Sequence, residues 1–113
     1  MQAGEIYLAN FPFGGSPGMK LRPVLLLTDP LGSVPEILVA YISSVVPPTL
    51  LPSDILLNPA LPQHAGTRLK TTSVLRLHKL ATIHGRSAVR YLGKLPAALG
   101  AEVAAKLRAL LRL

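Results

Sequence analysis

Arg76 and His78 stand two residues apart inside the apolar run Val74-Leu75-Arg76-Leu77-His78. Alternate residues of a β-strand project from the same face, about 6 to 7 Å apart along the backbone. A guanidinium and an imidazole at that spacing can straddle one phosphate, the imidazole handling a proton and the guanidinium holding the charged oxygens. The same spacing also fits two solvated side chains on the outer face of an amphipathic strand. Arg22 precedes Pro23 at the entry to a second apolar run. There a long cation either reaches over a neighbouring loop or snorkels to water. Ser43 and Ser44 close a third run, and their hydroxyls can donate to a phosphate or satisfy a strand end and turn, the turn being the commoner use.

Much other chemistry is excluded by what the chain lacks. Its five acids, Glu5, Asp29, Glu36, Asp54 and Glu102, are scattered singly, so neither a clustered oxygen-ligand metal site nor a facing carboxylate pair is expected. Cysteine is absent, which removes disulfide frameworks, thiolate zinc sites and cysteine nucleophiles together. No serine lies in a Gly-x-Ser-x-Gly elbow, and no glycine-rich stretch has the Walker spacing. His64 and His84 have no ligand partners at metal spacing. Neither metal nor cofactor is expected.

The charge balance points to the kind of partner. Twelve basic residues face five acidic ones, giving +7 and a pI near 10.4, above the value of about 9 at which a polyanion partner is suspected. Nucleic acid, anionic lipid and an acidic protein are the candidates. Residues 1–66 hold two basic groups against four acidic, and residues 67–113 ten against one, so the halves carry −2 and +9.

The elements that position these groups follow from proline and periodicity. Ten of the eleven prolines fall at or before Pro62, which confines the first half to short strands and loops. Strands are expected at 5–11, 23–28, 37–42, 54–57 and 74–78, with a Gly/Pro/Ser loop at 11–18. Phe11 and Phe13 in that loop allow at most a small stacking platform. From Pro96 onward, Leu99, Val103, Leu107, Leu110 and Leu111 recur at helical spacing, which predicts one amphipathic helix. The expected fold is mainly β (α+β), a small twisted barrel closed by a C-terminal helix, in a single domain spanning 1–113. Half of the residues are hydrophobic and only 15% charged, enough apolar surface for such a core. The longest uncharged span, 37–53, contains Pro47, Pro48 and Pro52, so no membrane helix is expected. Met1-Gln2-Ala3-Gly4-Glu5 has no basic segment leading into an apolar one, so neither a signal nor a transit peptide is expected, and the default location is cytoplasmic.

Taken in order, the segments resemble a known family. They are Gly4-Glu5-Ile6-Tyr7-Leu8 with Phe11-Pro12-Phe13, Lys20-Leu21-Arg22-Pro23-Val24-Leu25, Ala40-Tyr41-Ile42-Ser43-Ser44, and the block from Thr72 to Ile83 containing Ser73-Val74, Arg76, Leu80 and Thr82-Ile83. In this order they resemble the MazF/PemK toxin endoribonucleases over nearly the whole chain. The resemblance implies an SH3-like barrel of the CcdB/MazF type with a C-terminal helix, acting as a homodimer and inhibited by a cognate antitoxin. It implies metal-independent, sequence-selective cleavage of single-stranded RNA, with the RNA's own 2′-hydroxyl as nucleophile and a 2′,3′-cyclic phosphate and a 5′-hydroxyl as products. DNA, lacking that hydroxyl, would not be cut.

Carried over by residue, the resemblance makes Arg22, Ser43, Arg76 and His78 catalytic, with Lys20, Ser44 and Lys79 binding RNA. Arg76 would stabilise the phosphorane. His78 falls where one branch has an acidic residue assigned as base, and a histidine is well matched to that role at neutral pH. Two other readings stay open: a non-catalytic binder on the same barrel, as in the CcdB toxins, and a degenerate member kept as an antitoxin-binding scaffold.

Overall fold

The computed structural model describes residues 1–11 and 20–113. Apart from Phe11, the loop expected at 11–18 lies outside the described residues. Six strands, β1 (Glu5–Phe11), β2 (Lys20–Leu26), β3 (Glu36–Ser43), β4 (Asp54–Leu57), β5 (Ser73–His84) and β6 (Ala88–Lys94), precede one helix, α1 (Ala97–Leu111). They form one antiparallel sheet in the order β4-β5-β3-β2-β1-β6.

Both faces of the sheet are apolar, which is why its strands read as near-continuous hydrophobic runs. On β2, Leu25 joins one cluster with Ile6, Ile42, Ile55, Leu75 and Leu77, whereas Val24 and Leu26 join another with Phe11, Ile37, Val39 and Ile83. The first cluster also takes Leu99 and Val103 from α1. Alternation along the strands thus splits one sequence run between two cores.

Strand β5 is bulged. Ala40 lies opposite Leu80 but Tyr41 opposite Arg76, so Leu77, His78 and Lys79 have no opposite residue on β3. A bulge bends the strand and switches which residues face the core: Leu75 before it and Leu77 within it are buried in the first cluster, and Leu80 after it packs against that cluster. The bent first half of β5 also pairs with β4, Asp54 opposite Arg76.

No ladder joins β4 to β6, so among the described residues the barrel is open. The connection after β4 spans the gap instead. Its 3-10 helix, Pro62–Thr67, lies directly on β6, where a Cβ on Gly93 would stand 2.5 Å from the Gly66 carbonyl oxygen and closer still to that of Thr67. Only glycine fits there.

The structure adds to the expected elements. β6 and the 3-10 helix were not predicted, and β5 runs to His84 rather than ending at 78. β6 exposes Val89, Arg90 and Tyr91, which leaves it little apolar alternation to read. In α1 only Leu99 and Val103 are buried, with Leu107 packed against them. Leu110 and Leu111 are exposed, so the buried stripe is shorter than the leucine spacing predicts. No helix among the described residues is long and apolar enough to cross a membrane.

Candidate functional site

Strands β2 and β3 part at one end. Their ladder stops at Val24 opposite Tyr41, although β2 begins at Lys20 and β3 runs to Ser43. Beside this split lies a basin of about 500 Å³. Leu8, Ile42, Leu69 and Leu92 give it an apolar floor, and Arg22, Arg68, Lys70 and Arg90 bring four cations to it, with Ser44 beside them. Among the described residues, no aspartate, glutamate or histidine lines it. None of the four cations belongs to the ion pairs found among the described residues.

Arg22 is the most telling of the four. Its Nε is buried and has no hydrogen-bond partner among the described residues. Desolvating a guanidinium donor without an acceptor costs on the order of 1–3 kcal/mol or more, and such orphans in a folded chain call for a cause. An anion that reached this nitrogen would supply the missing acceptor and the missing counter-charge together.

The wall carrying Arg68 and Lys70 is fixed by its neighbours. Thr67 is fully buried and Leu69 nearly so, and the Thr67 hydroxyl donates to the His64 carbonyl at 2.8 Å. Arg68 and Lys70, on either side of Leu69, are exposed. Arg68 caps the 3-10 helix in the left-handed region, at φ 53°.

Arg76 is engaged elsewhere. Its Nε and Nη2 donate to Oδ1 and Oδ2 of Asp54, each at 3.2 Å. Asp54 is 2% exposed. Its Oδ2 also accepts from the Leu51 amide at 2.8 Å, and its carbonyl accepts from Lys106 Nζ at 2.8 Å. Lys106 in turn pairs with Glu102 at 3.0 Å. One buried carboxylate thereby ties β4 to β5, and its main chain ties β4 to α1. The guanidinium expected to stabilise a phosphorane is thus paired with Asp54 through Nε and Nη2.

The other expected residues divide as follows. His78 is exposed and lines a separate recess of about 350 Å³ with Leu51, Pro52, Lys106 and Leu110, so it does not share a cavity with Arg22. Lys79 lies over the Tyr41 ring at 5.6 Å, which itself stacks on Phe11 at 5.3 Å. Ser43 Oγ is held in a turn, accepting from the Val45 amide at 3.1 Å. Its neighbour Ser44 is the serine that lines the basin. Lys20 is exposed at the start of β2, opposite Phe11. Of the seven residues, the basin gathers Arg22 and Ser44.

Sequence reasoning missed Arg68, Lys70 and Arg90. A signal existed for the first two, since Arg68-Leu69-Lys70 alternates charge about an apolar residue. Near the basin, burial raises the pKa of the Tyr7 phenol, helped by the charges of Glu5 and Tyr91. Tyr7 meets the Tyr91 ring edge to face at 5.6 Å. Among the described residues, no three His, Cys, Asp or Glu side chains gather as they would to hold a metal ion.

Known proteins share this architecture. The chain superposes on the Mycobacterium tuberculosis toxin MazF-mt6 with a TM-score of 0.72 at 24% identity, over 96% of this chain and 97% of that one. It matches an endoribonuclease in complex with its cognate antitoxin from a mycobacterial species with a TM-score of 0.72 at 15% identity, over 100% and 96% of the two chains. It matches MazF from Deinococcus radiodurans with a TM-score of 0.70 at 23% identity, over 100% and 97%. At these identities the likenesses establish the fold. No curated protein matches the sequence. The sequence itself decides the family: with residues 2–111 matching its profile, the chain belongs to the PemK-like, MazF-like toxins of type II toxin-antitoxin systems.

Proposed function

We propose that the chain is an endoribonuclease that cuts single-stranded RNA without a metal ion, and that Arg22 holds the phosphate at which the strand is cut. The observation that carries this reading is the buried Arg22 Nε, without a hydrogen-bond partner among the described residues, beside a basin that Arg22, Arg68, Lys70 and Arg90 line and to which no described acid contributes. The substrate's 2′-oxygen attacks the adjacent phosphorus. The 2′-O–P bond forms, the P–O5′ bond breaks, and a 2′,3′-cyclic phosphate and a 5′-hydroxyl result. The pentavalent transition state gathers negative charge on its equatorial oxygens, and a cation already in place stabilises it without reorganising. Ser44, and Ser43 once its turn loosens, can donate a hydroxyl to the same phosphate. Among the described residues no imidazole or carboxylate lines the basin, and in this proposal the 2′-proton passes to solvent and the 5′-oxygen takes its proton from solvent.

Arg76 acts in the proposal through Asp54, as the residue that holds β4 and β5 together. An antitoxin protein is the proposed partner, supported by the antitoxin-bound relative. A homodimer acting on cytoplasmic RNA completes the proposal.

A fluorogenic RNA and a DNA of the same sequence, each incubated with purified protein in excess chelator, test the reading. RNA alone is cut if the proposal holds. A CcdB-like binder or a degenerate scaffold leaves both intact.

A further inference from the structure

The geometry points to a small-molecule pocket in the basin, which takes an unbranched alkyl chain ending in one anionic group, a carboxylate or a phosphate monoester. The chain lies on the aliphatic floor and the anion meets Arg68, Lys70 and Arg90 at the mouth. This goes beyond the RNA reading above and does not rest on it. Arg22 also borders the basin, but it lies opposite Ala9 of the second cluster and so on the other face of the sheet, and the ligand does not use it.

The basin is the open end of the first apolar cluster. Ile42 and Leu69 belong to that cluster, and Leu92 packs against it. Leu8 follows Ile6 of the same cluster by two residues and lies opposite both Pro23 and Arg90, so these three side chains share its face. The floor of Leu8, Pro23, Ile42, Leu69 and Leu92 is wholly aliphatic. Tyr91, the one described aromatic residue that borders it, is exposed and meets the Tyr7 ring edge to face. Such a floor offers a flat ring no stacking partner but takes methylenes out of water. Arg68, Lys70 and Arg90 are exposed, enter no ion pair among the described residues, and meet no described acid in the basin. One anion can therefore bond to cations whose charge nothing nearby offsets. The volume of about 500 Å³ lies within the range of small-ligand sites, roughly 300–1,000 Å³. A peptide laid on the same floor would bury backbone amides against aliphatic groups that cannot pair them. An alkyl chain carries no such groups.

The test is calorimetric binding of hexanoate, octanoate, decanoate and octyl phosphate to the whole protein, each below the concentration at which it forms micelles. One molecule should bind per chain, with affinity rising about fourfold for each added methylene, the equivalent of about 0.8 kcal/mol. Methyl octanoate, which has the chain without the charge, should bind at least about tenfold more weakly than octanoate. Arg90→Ala should weaken octanoate binding about fivefold, whereas Arg108→Ala, an exposed cation on α1 that does not line the basin, should leave it unchanged. Leu92→Asp, which sets a charge on the floor, should abolish the gain with chain length. If that variant fails to fold, Arg90→Ala and the chain-length series decide alone. Tighter binding of octyl phosphate than of octanoate assigns the pocket to a phosphate head, and the reverse order assigns it to a carboxylate. Affinity that does not change with chain length, methyl octanoate binding as tightly as octanoate, or equal losses in Arg90→Ala and Arg108→Ala overturns the pocket. Binding of a poly-glutamate peptide but of no alkyl anion overturns it as well.

Discussion

The Arg76 guanidinium forks onto the carboxylate of Asp54, directly across the β4–β5 ladder, with both nitrogen–oxygen distances at 3.2 Å. The pair sits where β5 bulges away from β3, and the Lys106 contact to the Asp54 carbonyl brings α1 to the same point. Removing one partner of a buried ion pair typically costs about 3–5 kcal/mol, because the other charge stays buried alone. Asp54→Ala should therefore lower the unfolding free energy from urea titration by an amount in that range, with a lower midpoint. Arg76→Lys should recover little, since an ammonium cannot reproduce the fork. A near wild-type midpoint for Asp54→Ala would mean that the pair holds nothing together.

His78 lines the recess beside Lys106 and Leu110 rather than the Arg22 basin. His78→Ala is expected to cleave RNA within a few-fold of the wild-type rate, with the same pH profile from pH 5 to 8 under single-turnover conditions. A general base contributes roughly 100- to 10,000-fold. A loss of that size, with the rise in rate through neutral pH abolished, would return the histidine to the reaction.

Gly93 carries the wall of the basin on its missing side chain. Gly93→Ala forces a Cβ against the carbonyls of Gly66 and Thr67, and overpacking of this kind costs about 1–3 kcal/mol. Thermal unfolding should register that loss. Affinity for an uncleavable RNA should fall too, because Arg68 and Lys70 ride on the displaced segment. Full stability in Gly93→Ala would show that the 3-10 helix is free to move off β6.

Tyr7 gives the fold an alkaline limit. Its pKa is raised above 10.0 in the folded chain, first by burial and then by Glu5 and Tyr91. A group whose folded pKa exceeds its unfolded value contributes stability that is complete below the unfolded pKa and is lost as pH rises through the folded one. Wild-type stability should therefore drop above about pH 10 more steeply than that of Tyr7→Phe, measured by urea unfolding between pH 8 and 11.5. Parallel profiles would contradict the shift.

How far the sequence could be read depended on whether a feature was local. The apolar runs at Val24 and Ile37 announced strands because burial on both faces left them continuous, and Leu99, Val103 and Leu107 announced the helix. β6 stayed hidden because Val89, Arg90 and Tyr91 face solvent. The spacing of Arg76 and His78 fits both a shared phosphate and two solvated side chains on one strand face, and spacing alone does not separate the two. What the chain could not reveal was the register that sets Asp54 against Arg76, since opposite charges on two separate strands meet only after the fold aligns them. The bulge at 77–79 is a property of pairing, not of composition. Arg22 was legible from its place before Pro23, but its missing partner is visible only in three dimensions.

In the proposed reaction the Arg22 guanidinium holds the phosphate at which RNA is cut. Single-turnover cleavage of a defined single-stranded RNA in chelator, by wild type and by Arg22→Ala, tests it most directly. Wild type should give 5′-hydroxyl and 2′,3′-cyclic phosphate ends, and Arg22→Ala should lose about 100-fold or more at every pH, the scale on which a preorganised donor to a developing oxyanion contributes. Cleavage by Arg22→Ala at the wild-type rate, or products with 5′-phosphate ends, would contradict it.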